Sequence, residues 1–247
     1  MTPYDDPSPD PYPESAYDDS HGEPYDEPYD QQEPPDEPEL PLRQYRSTTG
    51  DPTFGFLLAL AVSIGLAPLI GTGDPALRYT LSWGVLAVFG VTAWLLGNLR
   101  PIGRENPENV VWGVGFGLLI GVPVLLFGSG LLGGAVRRMF GDMTAGELLA
   151  FLVFVMPLAE TLFFRGILHG SRAFWMVAIM SAFWSFILYL PLLDIAAFPL
   201  VAVIITLMLV LLNIMYGYVR TRNGMAAAWI TQIVANIVVF FVPYFTS

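Results

Sequence analysis

Residues 151–166 read Phe151-Leu152-Val153-Phe154-Val155-Met156-Pro157-Leu158-Ala159-Glu160-Thr161-Leu162-Phe163-Phe164-Arg165-Gly166. One carboxylate, Glu160, stands in an otherwise apolar run that begins near residue 146. About 20 apolar residues in helical form cross the ~30 Å of bilayer hydrocarbon, so this run is long enough to span a membrane. It has no period-2 alternation, which excludes a barrel strand. Six further runs share the property, at about 54–72, 79–97, 110–128, 174–190, 197–219 and 225–244. The expected fold is therefore all-α, a polytopic bundle of about seven transmembrane helices. The Gly-rich segment 129–145, with Arg137 and Arg138, reads as a connecting loop or interfacial turn.

The chain has 247 residues, 54% hydrophobic and 13% charged, with net charge −11. The charge is unevenly placed. Residues 1–42 contain 14 of the 22 acidic residues, 11 of the 21 prolines and no arginine. The rest contains all 11 arginines against 8 acids, which is about +3. A body this apolar has too little polar surface for a soluble domain. The absence of cysteine excludes disulfides, thiolate metal sites and a cysteine nucleophile. Nucleic acid is not an expected partner, because the tail repels phosphate and no basic patch is present.

Residues 1–50 divide off as an acidic Pro/Tyr-rich tail, ahead of N-terminal membrane helices at 51–140 and a core at 141–247. Glu23-Pro24-Tyr25-Asp26 recurs as Glu27-Pro28-Tyr29-Asp30. With few aliphatic residues and a high net charge, the tail is expected to be disordered and extended. It lacks the basic start and apolar core of a signal peptide. Two readings stand: a docking arm for a basic or Pro-binding partner, or a solvating extension. The second is favoured, since no sharp ligand pattern is present.

With the N-terminus inside, the inner segments carry Arg43, Arg46, Arg100, Arg104, Arg165, Arg172, Arg220 and Arg222, against Arg78, Arg137 and Arg138 outside. That bias predicts a multi-pass plasma-membrane protein with a cytoplasmic N-terminus and membrane lipids around it. Trp112, Tyr79, Trp175, Tyr216 and Tyr244 are expected as interfacial anchors. Gly113, Gly117 and Gly121 lie at four-residue spacing and predict a smooth helix-packing face.

An ionisable residue at membrane depth marks a functional site. Glu160 is the clear case, with Pro157 expected to kink its helix. Arg165 reads equally well as a functional residue or as a snorkelling anchor. Gln232 and Asn236 share one face at i,i+4 and lie where Asn236 is expected to meet Glu160. Taken alone, this pair reads more simply as interhelical hydrogen bonding. Ser181, Ser185 and Tyr189 precede Pro191 on another helix.

The frame of these residues resembles the CAAX-protease and bacteriocin-processing (CPBP/Abi) family of intramembrane proteases. Glu160-Thr161-x-x-x-Arg165-Gly166 resembles its Glu-Glu-x-x-x-Arg motif. Gln232-x-x-x-Asn236, preceded by Arg222-Asn223-Gly224, resembles its His-x-x-x-Asn motif. Trp184 to Pro191 resembles a stretch ending in His-Leu-Pro, with Tyr189 at the histidine. The resemblance covers about 144–243 and implies Glu160, Arg165, Tyr189, Gln232 and Asn236 as catalytic-motif positions, with zinc as cofactor if the protease chemistry survives. It implies a membrane-associated peptide or protein as partner. Both motif histidines are replaced, and neither Gln nor Tyr supplies an imidazole ligand or proton carrier near neutral pH. No cofactor is therefore expected. His21 lies in the tail. His169 lies nine residues past Glu160, 2.5 turns on and so on the opposite side.

Other intramembrane chemistries fit less well. Ser129 has no histidine base. Asp74, in Gly71-Thr72-Gly73-Asp74, and Asp194 read as turn residues. Three functions follow in order: a protease homologue that has lost cleavage and acts as a binding or scaffold protein; an active endopeptidase in which Glu160 activates water; and a small transporter component.

Overall fold

The computed structural model describes residues 51–70, 74–95, 107–141 and 143–246. The tail, with Arg43 and Arg46, and the segment carrying Arg100 and Arg104 lie outside the described residues. Among the described residues six helices are long and apolar enough to cross a membrane, and no strand occurs. They are α1 (Pro52–Ile70), α2 (Pro75–Leu95), α3 (Pro107–Phe140), α4 (Ala145–Ser171), α5 (Phe174–Tyr189, extended by a 3₁₀ turn to Leu192) and α6 (Pro199–Thr246).

The helices alternate in direction. Asp51, just before α1, pairs with Arg172 at the end of α4 at 2.8 Å. At the other end of the bundle, Gly141, just past α3, lies against Pro75 at the start of α2. The main hydrophobic cluster runs from Phe56 on α1 to Phe240 on α6, and a smaller one gathers Val219, Ala227 and Ala228. Leu57, Val88, Leu119, Ile179 and Leu207 point outward and remain exposed, as lipid-facing residues do.

α3 corrects the expected loop at 129–145. The helix continues through Arg137 and Arg138 to Phe140, 34 residues or about 51 Å. Single glycines cost about 1 kcal/mol each in a helix, which an apolar surrounding outweighs because every backbone group must be paired there. Arg137 lies over the ring of Tyr244 at 5.8 Å, and Arg138 over Phe198 at 4.0 Å. Gly141, at φ 55°, ends the helix with its N–H donated to Arg137 O.

α6 is broken once. Gly224 has φ 91° and ψ −178°, a conformation that L side chains rarely adopt. The limbs before and after it, residues 199–223 and 225–246, both reach the same interior cluster, through Asn213 and Gln232. A straight helix would hold these two about 28 Å apart, so the chain turns back at Gly224. The second limb packs on α3 along the expected glycine face. Gly113 meets Ala227, Gly117 meets Thr231 and Val234, and Gly121 meets Val238. Thr231 tightens the contact by donating to Gly113 O at 3.1 Å.

Two expected anchors are buried instead. Tyr79 donates to Met139 O at 2.7 Å, and Tyr216 lies inside the bundle. Trp112 and Trp175 are exposed. Asp74 and Asp194 cap local turns, accepting from Leu77 N and Ala197 N.

Candidate functional site

Glu160 lies 15 residues from the start of α4 and 11 from its end, about 22 and 16 Å along the axis. It is buried, 2% exposed. Both carboxylate oxygens accept hydrogen bonds. Oε1 accepts from Trp83 Nε1 at 3.0 Å, and Oε2 from Gln232 Nε2 at 2.6 Å. The Thr161 hydroxyl donates to Gln232 Oε1 at 3.1 Å. The carboxylate only accepts, so the amide turns its nitrogen to Glu160 and its oxygen to Thr161.

The backbone of α4 explains how Arg165 joins. Five residues in an α-helix are 1.4 turns, which leaves side chains about 140° apart. Residues Thr161–Leu168 are π-helical, and a π turn closes at i+5. Arg165 is thereby carried round toward the face of Glu160, with Nη1 3.9 Å from Oε2. Arg165 is 1% exposed, so it is no snorkelling anchor. Its Nη2 donates to Asn213 Oδ1 at 2.9 Å, and its guanidinium lies 5.1 Å from the ring centre of Tyr216. Asn213 Nδ2 donates in turn to Ser185 Oγ at 3.2 Å and to Leu209 O at 2.9 Å. A buried charge survives in hydrocarbon only when paired and hydrogen-bonded in this way.

Pro157 acts through a second π turn rather than a kink alone. Residues Phe151–Val155 are π-helical, and Met156 N donates to Phe151 O. Continued in that pattern, Leu152 O would accept from residue 157, but proline has no N–H. The orphaned carbonyl accepts instead from Asn236 Nδ2 at 3.2 Å. Asn236 therefore does not meet Glu160. Its amide also touches Met156 Sδ at 3.4 Å, which the Tyr189 hydroxyl approaches to 3.6 Å from the other side chain.

The five predicted residues thus form two adjoining groups. Glu160, Arg165 and Gln232 make one network, and Tyr189 and Asn236 converge on Met156. His169 lies apart, half-buried near Phe174. Sequence reasoning missed Trp83, Asn213 and Tyr216. Asn213 carried a usable signal, since it is a lone amide in the apolar run 199–217. Trp83 carried none, because an indole in an apolar helix reads as bulk until its N–H partner is known.

The donor set does not fit zinc. Among the described residues no three His, Cys, Asp or Glu side chains come together, and Glu160 is surrounded by an indole, an amide and a guanidinium. None of these groups takes up a proton near neutral pH. Comparison with known proteins returned no matching family model, curated protein or solved structure.

Proposed function

We propose that this chain is a CAAX-protease and bacteriocin-processing family homologue that binds or scaffolds a membrane-associated peptide or protein and does not cleave it. We read α6 as two crossings separated at Gly224, which makes seven in all, with the N-terminus cytoplasmic in the plasma membrane. The observation that carries the reading is the 2.6 Å bond from Gln232 to Glu160. The amide sits where the family pattern has an imidazole and donates to the carboxylate in its place. An amide neither takes up nor delivers a proton, so general base catalysis has no relay. The hydrogen-bonded frame around Glu160 supports a retained fold with a changed use.

The test needs no known substrate. Zinc is measured in the purified, detergent-solubilised protein and in a Tyr189→His/Gln232→His variant. Metal in the variant alone supports the reading. Near-stoichiometric zinc in the natural protein, lost on Glu160→Ala, overturns it. So does cleavage of a membrane-associated peptide that Glu160→Ala abolishes.

A further inference from the structure

α5 and the first limb of α6 leave a groove between them on the outer surface of the bundle. Its volume is about 520 Å³, and its lining runs from Trp175 through Ala178 and Ala182 to Phe186 on α5, with Thr206 and Val210 of α6 opposite. Ala178 and Ala182 are buried and form the floor. They stand one turn apart on one helix face, and a larger side chain at either position would fill the space. Trp175 and Ile179 are 63% and 67% exposed and form the rim, so the groove opens toward the bilayer.

The lining asks for no polar partner. The Thr206 hydroxyl donates to Ala202 O at 2.8 Å within its own helix, and no charged side chain lines the groove. An occupant is therefore apolar along its length.

Depth and width narrow the choice. Trp175 is the second residue of α5, at the end of the bundle where Arg172 pairs with Asp51 at an exposed position. Phe186 lies 11 residues further on, about 16 Å along the axis. That is the depth of one leaflet, half of the ~30 Å hydrocarbon layer. Spread over about 16 Å, the volume gives a mean cross-section of about 30 Å². An α-helix with its side chains is about 10–12 Å across, or about 80–110 Å² in section, and does not enter. A single hydrocarbon chain, whose carbons touch their neighbours at about 3.5–4.0 Å, does. A void here would forfeit the contacts of every atom lining it, so in hydrocarbon the groove fills.

We propose that the groove between α5 and α6 is a binding site for one acyl chain of a phospholipid from the leaflet at the Arg172 end. The chain is contacted from both helices, which separates it from lipid that touches a single convex helix. The site selects the chain and not the headgroup, because its lining carries no charge. None of the lining residues belongs to the Glu160 network, so the site stands whether or not the reading of that network does.

The test is lipid retention by the full-length protein after detergent exchange, read by native mass spectrometry. Phosphatidylglycerol and phosphatidylcholine with the same palmitoyl and oleoyl chains, and free oleate, are offered separately. The expected result is a single phospholipid retained with either headgroup. Ala182→Leu fills the floor and weakens retention about tenfold or more. Val210→Phe obstructs the same groove from α6 and has the same effect, so the test stands should one variant fail to fold. Gly115→Leu adds bulk on α3, where a Cβ meets nothing within 4 Å, and leaves retention unchanged. Circular dichroism checks that each variant stays helical. No retained lipid, retention of one headgroup alone, equal retention by the groove variants, oleate held in place of phospholipid, or a dimer of the natural protein that the groove variants split would each overturn the assignment.

Discussion

Gln232 and Glu160, 72 residues apart in the chain, are joined side chain to side chain by a 2.6 Å hydrogen bond in the interior of the bundle. The bond ties the second limb of α6 to the middle of α4. With Trp83 donating to the other oxygen, each carboxylate oxygen accepts one hydrogen bond.

Replacing Gln232 by leucine removes the donor to Glu160 and the acceptor of Thr161 together. Leaving buried polar atoms unpaired costs about 1–3 kcal/mol each. The expected outcome is a clear fall in the thermal midpoint in detergent, with helical content retained. Gln232→His keeps a donor at this position and is expected to lose less. A midpoint unchanged in Gln232→Leu would mean the bond is not formed.

Asn213 Oδ1 accepts from Nη2 of the Arg165 guanidinium at 2.9 Å. Asn213→Leu preserves volume and strips that acceptor. A hydrogen bond to a charged group contributes roughly 1.5–3 kcal/mol, so this variant is expected to be clearly less stable than the natural protein. A double variant with Arg165→Met also takes the cation away from Glu160 and is expected to lose further stability. Equilibrium unfolding of the four proteins of this cycle measures the coupling.

Gly117 has no room for a methyl group. An added Cβ would lie 2.6 Å from Val234 Cβ and 3.0 Å from Thr231 O. Gly117→Ala must push α3 from the second limb of α6, at about 1–3 kcal/mol. Gly115, two residues away, has nothing within 4 Å of such a methyl. Gly115→Ala is expected to be neutral or slightly stabilising. Equal thermal midpoints for the two would disprove the packing face.

Asp51 accepts from Thr53 N at 2.9 Å and pairs with Arg172, which also donates to Thr53 Oγ1. The Thr53 amide and hydroxyl, with a smaller share from Arg172, hold its carboxyl below its ordinary value of 3.8. A depressed folded value gives stability that is present above the unfolded value and lost as pH falls through the folded one. The pair is half exposed, so solvent screening limits the effect to under about 1 kcal/mol. Between pH 6 and a pH below about 4, the natural protein is expected to lose slightly more stability than Asp51→Asn. Parallel pH profiles for the two would count against the pair.

Much of this was legible along the chain. The apolar runs gave the spans, the glycine spacing gave the α3 face, and the isolation of Glu160 gave the centre of the site. Each rests on properties of neighbouring residues. Where the reading erred, a distant residue had intervened. Arg165 read equally as an anchor or as a functional residue, and a π turn and Asn213 hold it inside. Asn236 lay at the depth expected for Glu160, yet Pro157 frees Leu152 O, and that carbonyl takes the amide. Segment 129–140 has turn-like composition, but hydrocarbon surroundings keep it helical.

By itself the sequence determined an all-helical, membrane-embedded body and one buried carboxylate within it. Length and hydrophobicity of a run decide that, because a bilayer solvates each helix alone and demands that its backbone bonds close internally. Only the tertiary structure decided which side chains meet that carboxylate. In hydrocarbon a polar atom bonds to whichever partner helix packing brings within about 3 Å, and that choice depends on the Gly224 turn, the π turns of α4 and the α3–α6 contact together.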